Sequence, residues 1–194
     1  MRAGPAALLA VCAILPAAAA EIEKLEVTRT EARFGMTLSA RLDVPLEDSY
    51  RVLGDFDELP RINDAVEEVR LLDGAPAGAQ RLYTRVRVCV WLFCRHLDQV
   101  QDMWPIAGDD ARGYNAAVLP ERSNLRFGNA RWRLRDCDGV TCLRFDAQLE
   151  PDFWVPPVIG PWAIERAMRR EAIATAEGIE RRALATSVAA DAAP

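Results

Sequence analysis

From residue 32 the chain alternates. Phe34, Met36, Leu38, Ala40 and Leu42 are apolar, and the positions between them are polar or small. This period of two predicts a half-buried strand over 32–44. Pro45 ends it and opens a short helix over Leu46–Leu53, which Gly54-Asp55 breaks; Glu58–Val66, with Pro60 in its first turn, predicts a second. A strand follows over Val66–Leu72. After the turn-rich Asp73–Gly78 come five more, at Gln80–Val90, Cys94–Pro105, Arg112–Leu119, Asn124–Asp136 and Val140–Glu150. The gaps are short, so consecutive strands pair antiparallel, giving a meander of about seven strands. Glu21–Glu31 reads as a polar lead-in, and the Ala-rich 184–194 as a frayed tail outside a domain spanning 21–183.

The period then changes. Phe153-Trp154-Val155-Pro156-Pro157 leads to Gly160-Pro161, a helix start because proline at the first helical position has its φ preset and no N–H to leave unpaired. The helix runs from Gly160 to Arg182. Ile164, Ala167, Met168, Ala172, Thr175, Ala176 and Ile179 collect on one face, with Glu171 inside or at the edge of the stripe. A long helix with a small-residue face needs a broad apolar surface to cover it, and the strands supply one. The fold class is therefore α+β, a curved antiparallel sheet wrapped around a long C-terminal helix, with two short helices after the first strand.

Residues 1–20 do not fit this architecture. Arg2, the short apolar run Ala6–Leu15 and Ala18-Ala19-Ala20 ahead of Glu21 have the layout of a signal peptide cleaved near Ala20, with an apolar run too short to span a bilayer. Cys12 lies inside that run and is no lipid-attachment site. A periplasmic or secreted protein is expected. The formal net charge of −5 and the lack of a basic patch with interleaved aromatics argue against nucleic acid as a partner.

Export gives the cysteines a reading. Cys89, Cys94, Cys137 and Cys142 are an even set, pointing to disulfides. Bridging Cys89 to Cys94 places Val86 opposite Leu97, Arg85 opposite Asp98 and Arg81 opposite Asp102. Bridging Cys137 to Cys142 places Leu134 opposite Phe145, Trp132 opposite Ala147, and Arg133 opposite Asp146. Both registers separate an apolar face from a charge-paired one. In a meander the two turns fall at opposite ends of the sheet, which opposes cross-pairing and a shared zinc site. Each bridge closes a loop of about six residues, worth about 2 kcal/mol in the chain-entropy model.

No nucleophile elbow, phosphate loop or clustered metal ligands occur, and no metal or cofactor is called for. His96, the only histidine, reads as a surface residue, and Asp55-Phe56-Asp57 as a solvated turn. The informative positions face inward. Thr84, Gln99 and Gln101 share a face with Val86 and Leu97, and buried amides need partners. Facing Trp132, Leu134, Phe145 and Met168, they outline a ligand cavity, with Glu171 as a further polar contact. Trp91-Leu92-Phe93 and Phe153-Trp154 are apolar loops that either fold back or touch a membrane or an envelope protein.

The segments Val44–Leu53 and Asp55-Phe56-Asp57-Glu58-Leu59-Pro60-Arg61-Ile62-Asn63, with the closing helix at 160–182, resemble the opening and closing elements of the SRPBCC (START-like) superfamily. Within it, the polyketide cyclase/dehydrase and lipid-transport branch is the most similar. The resemblance covers roughly residues 32–183 and implies the helix-grip fold with an apolar ligand between sheet and helix. It carries no catalytic residue over. Three readings stay open: a carrier for a lipid-like or other hydrophobic small molecule; a cyclase-like enzyme using Glu171 with Arg126 or Arg95; and an envelope interaction module.

Overall fold

A computed structural model describes residues 19–90, 93–108, 111–157 and 159–191. Residues 1–18, most of the expected signal peptide, and Trp91-Leu92 of the expected apolar loop lie outside the described residues. Eight strands form one antiparallel sheet: β1 Glu21–Thr30, β2 Arg33–Leu42, β3 Val66–Leu72, β4 Gln80–Val90, β5 Phe93–Ala107, β6 Arg112–Val118, β7 Leu125–Cys137 and β8 Val140–Pro151. Their order is β1-β2-β8-β7-β6-β5-β4-β3. Between β2 and β3 come α1 Leu46–Gly54, a 3-10 turn Phe56–Glu58 and α2 Leu59–Ile62. The long helix α3 spans Gly160–Asp191. This is the helix-grip arrangement.

Three expectations change. The supposed lead-in is β1, an edge strand: Leu25 and Val27 pack on the core while the residues around them stay polar, as an edge facing water allows. The sheet thus has eight strands. The second short helix is only α2, because Asn63 turns extended and its side chain accepts from the Ala65 N–H at 2.9 Å. The supposed tail is the end of α3 as far as Asp191. Alanine favours the helix, Ala183 is fully buried and Leu184 packs on the core, so the helix does not stop at Arg182.

The cysteine hairpins divide. In β4–β5 the expected register holds, with Cys89 opposite Cys94, Val86 opposite Leu97, and Arg81 opposite Asp102. In β7–β8 the bridge forms but the register sits two residues away: Leu134 faces Leu143, Trp132 faces Phe145, and Cys137 faces Val140. Asp138 and Gly139 both take positive φ, 60° and 86°, making a two-residue turn of the mirror-image type that matches strand twist. The turn sets the register, and the disulfide spans it on the diagonal. A shift of two preserves the faces, so the inward set is unchanged.

Near α2, helix α3 packs backbone to backbone: a Cβ on Gly178 would lie inside contact distance of the Ile62 carbonyl. Asn63 Nδ2 donates to the Glu171 carbonyl at 3.3 Å and to Thr175 Oγ1 at 3.0 Å, and Arg182 and Arg61 both pair with Glu58. On the β1 side, Arg169 donates to the Leu25 carbonyl at 2.9 Å.

Candidate functional site

The core is divided. One cluster gathers Phe34, Leu38, Leu42, Leu143, Phe145, Met168 and Ile179 under β1, β2 and β8; the other gathers Phe56, Leu82, Met103 and Ala116 under β4 to β6. Helix α3 approaches the sheet at β1 and β2 on one side and at β4 on the other. Between them the α3 backbone makes few close approaches to β5, β6, β7 and β8, although Met168 and Ile179 pack in one cluster with Leu143 and Phe145 of β8. Beneath that span, register places Ala116 beside Ala130 and Ala130 beside Ala147, a row of three alanines flanked by Met103 and Met36. Ala130, Trp132, Ala147 and Leu149 point inward yet remain half-buried. This small-residue floor and the helix above it mark the candidate hollow between sheet and helix.

One end of the hollow is closed. The next row holds Tyr114, Trp132 and Phe145, with the Trp132 and Phe145 rings stacked at 3.7 Å between centroids. Tyr50 and Phe56 pack on Tyr114, and α1 lies across the ends of β6 to β8. Burial, followed by the hydrogen bond with Tyr50, pushes the Tyr114 hydroxyl up to about 12. The other end, where β4 turns to β5 and β8 leads to α3, lies away from α1 and is the candidate opening.

The residues singled out from the sequence fall around this hollow unevenly. Val86, Leu97, Gln99 and Gln101 line the β4–β5 wall toward the opening, half-buried, with Gln101 beside Val118. Trp132 and Phe145 form the closed end, Leu134 lies fully buried behind them, and Met168 comes down from α3. Thr84 is only 3% exposed, and its Oγ1 is sealed from solvent with no hydrogen-bond partner among the described residues. Glu171 is engaged by its neighbour: Arg170 donates to its carboxylate at 2.8 and 2.6 Å and to the Cys89 carbonyl at 2.9 Å. The acid–base set does not assemble. Arg126, at a bulge in β7, is exposed and pairs with Asp152, and Arg95, near the β4–β5 tip, is exposed over the Phe153 ring. His96 is exposed and pairs with Glu67 at 3.1 Å.

One buried group escaped the sequence reading. Glu180 is 1% exposed; one carboxylate oxygen accepts from the Asp43 N–H at 2.7 Å and the other has no partner among the described residues. The spacing Ala172, Ala176, Ile179, Glu180 and Ala183 carried the signal, since Glu180 lies four residues after Ala176 on the same stripe. It braces α3 against the end of β2, at the closed end of the hollow.

Two further depressions lie elsewhere. One, of about 610 Å³, spreads over the outer polar face among Thr37, Asn115, Arg131 and Asp146 and also touches Met36, Ala116, Ala130 and Ala147 of the alanine row; the other, of about 790 Å³, lies at the sheet end beside Leu46, Arg112 and Cys137. Neither takes in a residue of the expected ligand set. Among the described residues no helix is long and apolar enough to cross a membrane, and no cluster of three or more acidic, cysteine or histidine side chains could hold a metal ion.

Solved structures share this architecture. The STAR-related lipid transfer protein from Xanthomonas axonopodis superimposes with a TM-score of 0.63 at 15% identity, over 82% of this chain and 98% of that one. The Zhui aromatase/cyclase from Streptomyces sp. R1128 gives 0.66 at 15%, over 81% and 98%. Human StAR-related lipid transfer protein 5 gives 0.64 at 10%, over 84% and 88%. The fold is START-like. No family sequence model matches this START-like chain, and neither does any curated protein.

Proposed function

We propose that this chain is an exported carrier that holds a lipid-like or other hydrophobic small molecule in the hollow between its sheet and α3. The observation that carries the reading is the scarcity of close approaches by the α3 backbone to β5 to β8 above the Ala116, Ala130 and Ala147 row. An apolar molecule lying there covers Ala130, Trp132, Phe145 and Met168, while Gln99 and Gln101 offer hydrogen bonds nearer the opening. A few hundred Å² of apolar surface, at about 25 cal/mol per Å², suffices for micromolar affinity. Structural neighbours named as lipid transfer proteins support the class of ligand. Two disulfides are compatible with an oxidising compartment and so with cleavage near Ala20 and export. Contact with a membrane or an envelope protein at the open end belongs to the same reading. Glu171, the carboxylate of the enzyme alternative, is paired with Arg170, and its expected arginine partners Arg126 and Arg95 are both exposed away from it.

The test fills the hollow. Protein purified after export is examined by native mass spectrometry and organic extraction, alongside Ala130→Phe and Met168→Trp. A discrete apolar mass should accompany the wild type and fall at least tenfold in both variants while cooperative unfolding persists. Folded variants that keep their ligand would remove the hollow as its site.

A further inference from the structure

Three of the large apolar side chains most exposed to solvent sit together in sequence at the open end. Trp154 is 77% exposed, Ile159 59% and Trp162 57%. Trp154 and Ile159 lie in the β8–α3 connection and Trp162 in the first turn of α3. Scattered apolar residues on a surface need no explanation, but a cluster rimmed by polar groups marks an interaction site. The rim here carries two arginines, with Glu165 beside one of them. The Arg166 guanidinium lies 5.9 Å from the Trp162 ring centre, and the Arg95 guanidinium 4.8 Å from the ring of Phe153. Among the described residues neither guanidinium pairs with a carboxylate, and the nearby Asp152 and Glu171 are taken by Arg126 and Arg170. A chain of net charge −5 thus places unneutralised arginines beside its bare tryptophans.

We propose that this patch docks on an anionic lipid bilayer. Indole rings prefer the headgroup boundary, and arginines beside them pair with anionic headgroups. A folded protein surface would also accept an apolar patch, but it would not require arginines left without carboxylates; phosphate-bearing lipids supply the complementary charge to both arginines. The orientation also faces the opening of the hollow toward the bilayer, so a hydrophobic cargo would pass without crossing water. The proposal rests on the carrier reading for what passes through the opening, and not for the docking itself.

The full chain is floated with vesicles of phosphatidylcholine alone and of phosphatidylcholine with an equal share of phosphatidylglycerol, while tryptophan emission is recorded. Binding should favour the anionic vesicles, weaken with salt, and shift the emission to the blue. Arg95→Gln with Arg166→Gln should weaken binding to anionic vesicles about 25-fold, at about fivefold per arginine, with little change on neutral ones. Trp154→Ser with Trp162→Ser should abolish it. No binding to anionic vesicles, or equal binding by the serine variant in a folded state, overturns the proposal; self-association through the patch without vesicle binding does so too. Ligand retention without vesicles, measured on the arginine variant, separates the two readings. Retained ligand with lost docking supports both. Docking by a protein that never carries ligand removes the carrier reading alone.

Discussion

Thr84 is a hydroxyl with nowhere to go. It sits on the inward face between Val69 and Gln99, sealed from solvent, and no partner among the described residues takes its hydrogen bond. A buried polar group left unpaired forfeits its bonds to water and gains nothing in return. Thr84→Val keeps the shape and removes the unpaired oxygen. Stability should stay level or rise by up to about 1 kcal/mol in urea unfolding, and ligand retention should not change. A clear loss of stability would mean that the hydroxyl does have a partner, and a loss of retention alone would make it a ligand contact. The alternation of Leu82, Thr84 and Val86 showed which way Thr84 faces; it could not show how far α3 would stand from each position. Gly178 hid a similar fact. In the sequence it interrupts a helix, whereas in the fold it lets α3 touch the Ile62 carbonyl, a contact between segments about a hundred residues apart.

The two hairpins show which local signal governs a register. The Cys89–Cys94 bridge placed β4 against β5 correctly, and charge pairs support that register: Arg81 bonds Asp102 at 2.7 and 2.8 Å and Arg85 bonds Asp98 at 2.7 Å on the outer face. In β7–β8 the cysteines alone misplace the strands by two, because Asp138-Gly139 makes a tighter turn than a direct Cys137–Cys142 pair allows. Turn chemistry outranked the disulfide. β1 was missed for a related reason: an edge strand half open to water carries too few apolar positions for period two to stand out. The outer-face pairs also carry a pH signature. The Tyr83 hydroxyl, donating at 2.6 Å, and then Arg85 hold Asp98 below its usual range against the opposing effect of burial. A carboxylate lowered on folding stabilises above its unfolded value of about 3.9, and that contribution disappears as pH falls through the folded value. Asp98→Asn should therefore be less stable than wild type at pH 7, with the difference shrinking below about pH 4. Urea midpoints across that range measure it, and a difference independent of pH would contradict the lowered value.

Taken whole, the molecule is a sheet whose flanks grip a long helix, while α1 covers one end of its middle strands. The grip could be read from the sequence, since a long small-faced helix after a meander has one place to pack. The hollow could not, because its floor depends on Ala116, Ala130 and Ala147 falling into line across three strands, and an error of two residues in one register misaligns the row. The disulfides sit at opposite ends of this arrangement and have different work. Cys137–Cys142 joins β7 to β8 at the closed end, beside α1 and the buried Leu134 and Leu143. Cys89–Cys94 joins β4 to β5 at the opening, where the Cys89 carbonyl also accepts from Arg170 of α3. Each bridge closes a loop of about six residues, so replacing either pair by serine should cost about 2 kcal/mol, or about 4–8 °C in Tm for a domain of this size. Ligand retention should divide them. Freeing the β4–β5 tip loosens the wall carrying Leu97 and Gln99 and the bond to α3 that spans the opening, so the Cys89/Cys94 variant should release its ligand faster. The Cys137/Cys142 variant loses comparable stability away from the exit and should release it at the wild-type rate. Release rates measured well below both melting points decide the matter. Equal acceleration in the two variants would mean that the bridges act only through global stability, and faster release from the Cys137/Cys142 variant alone would move the exit to the end that α1 closes.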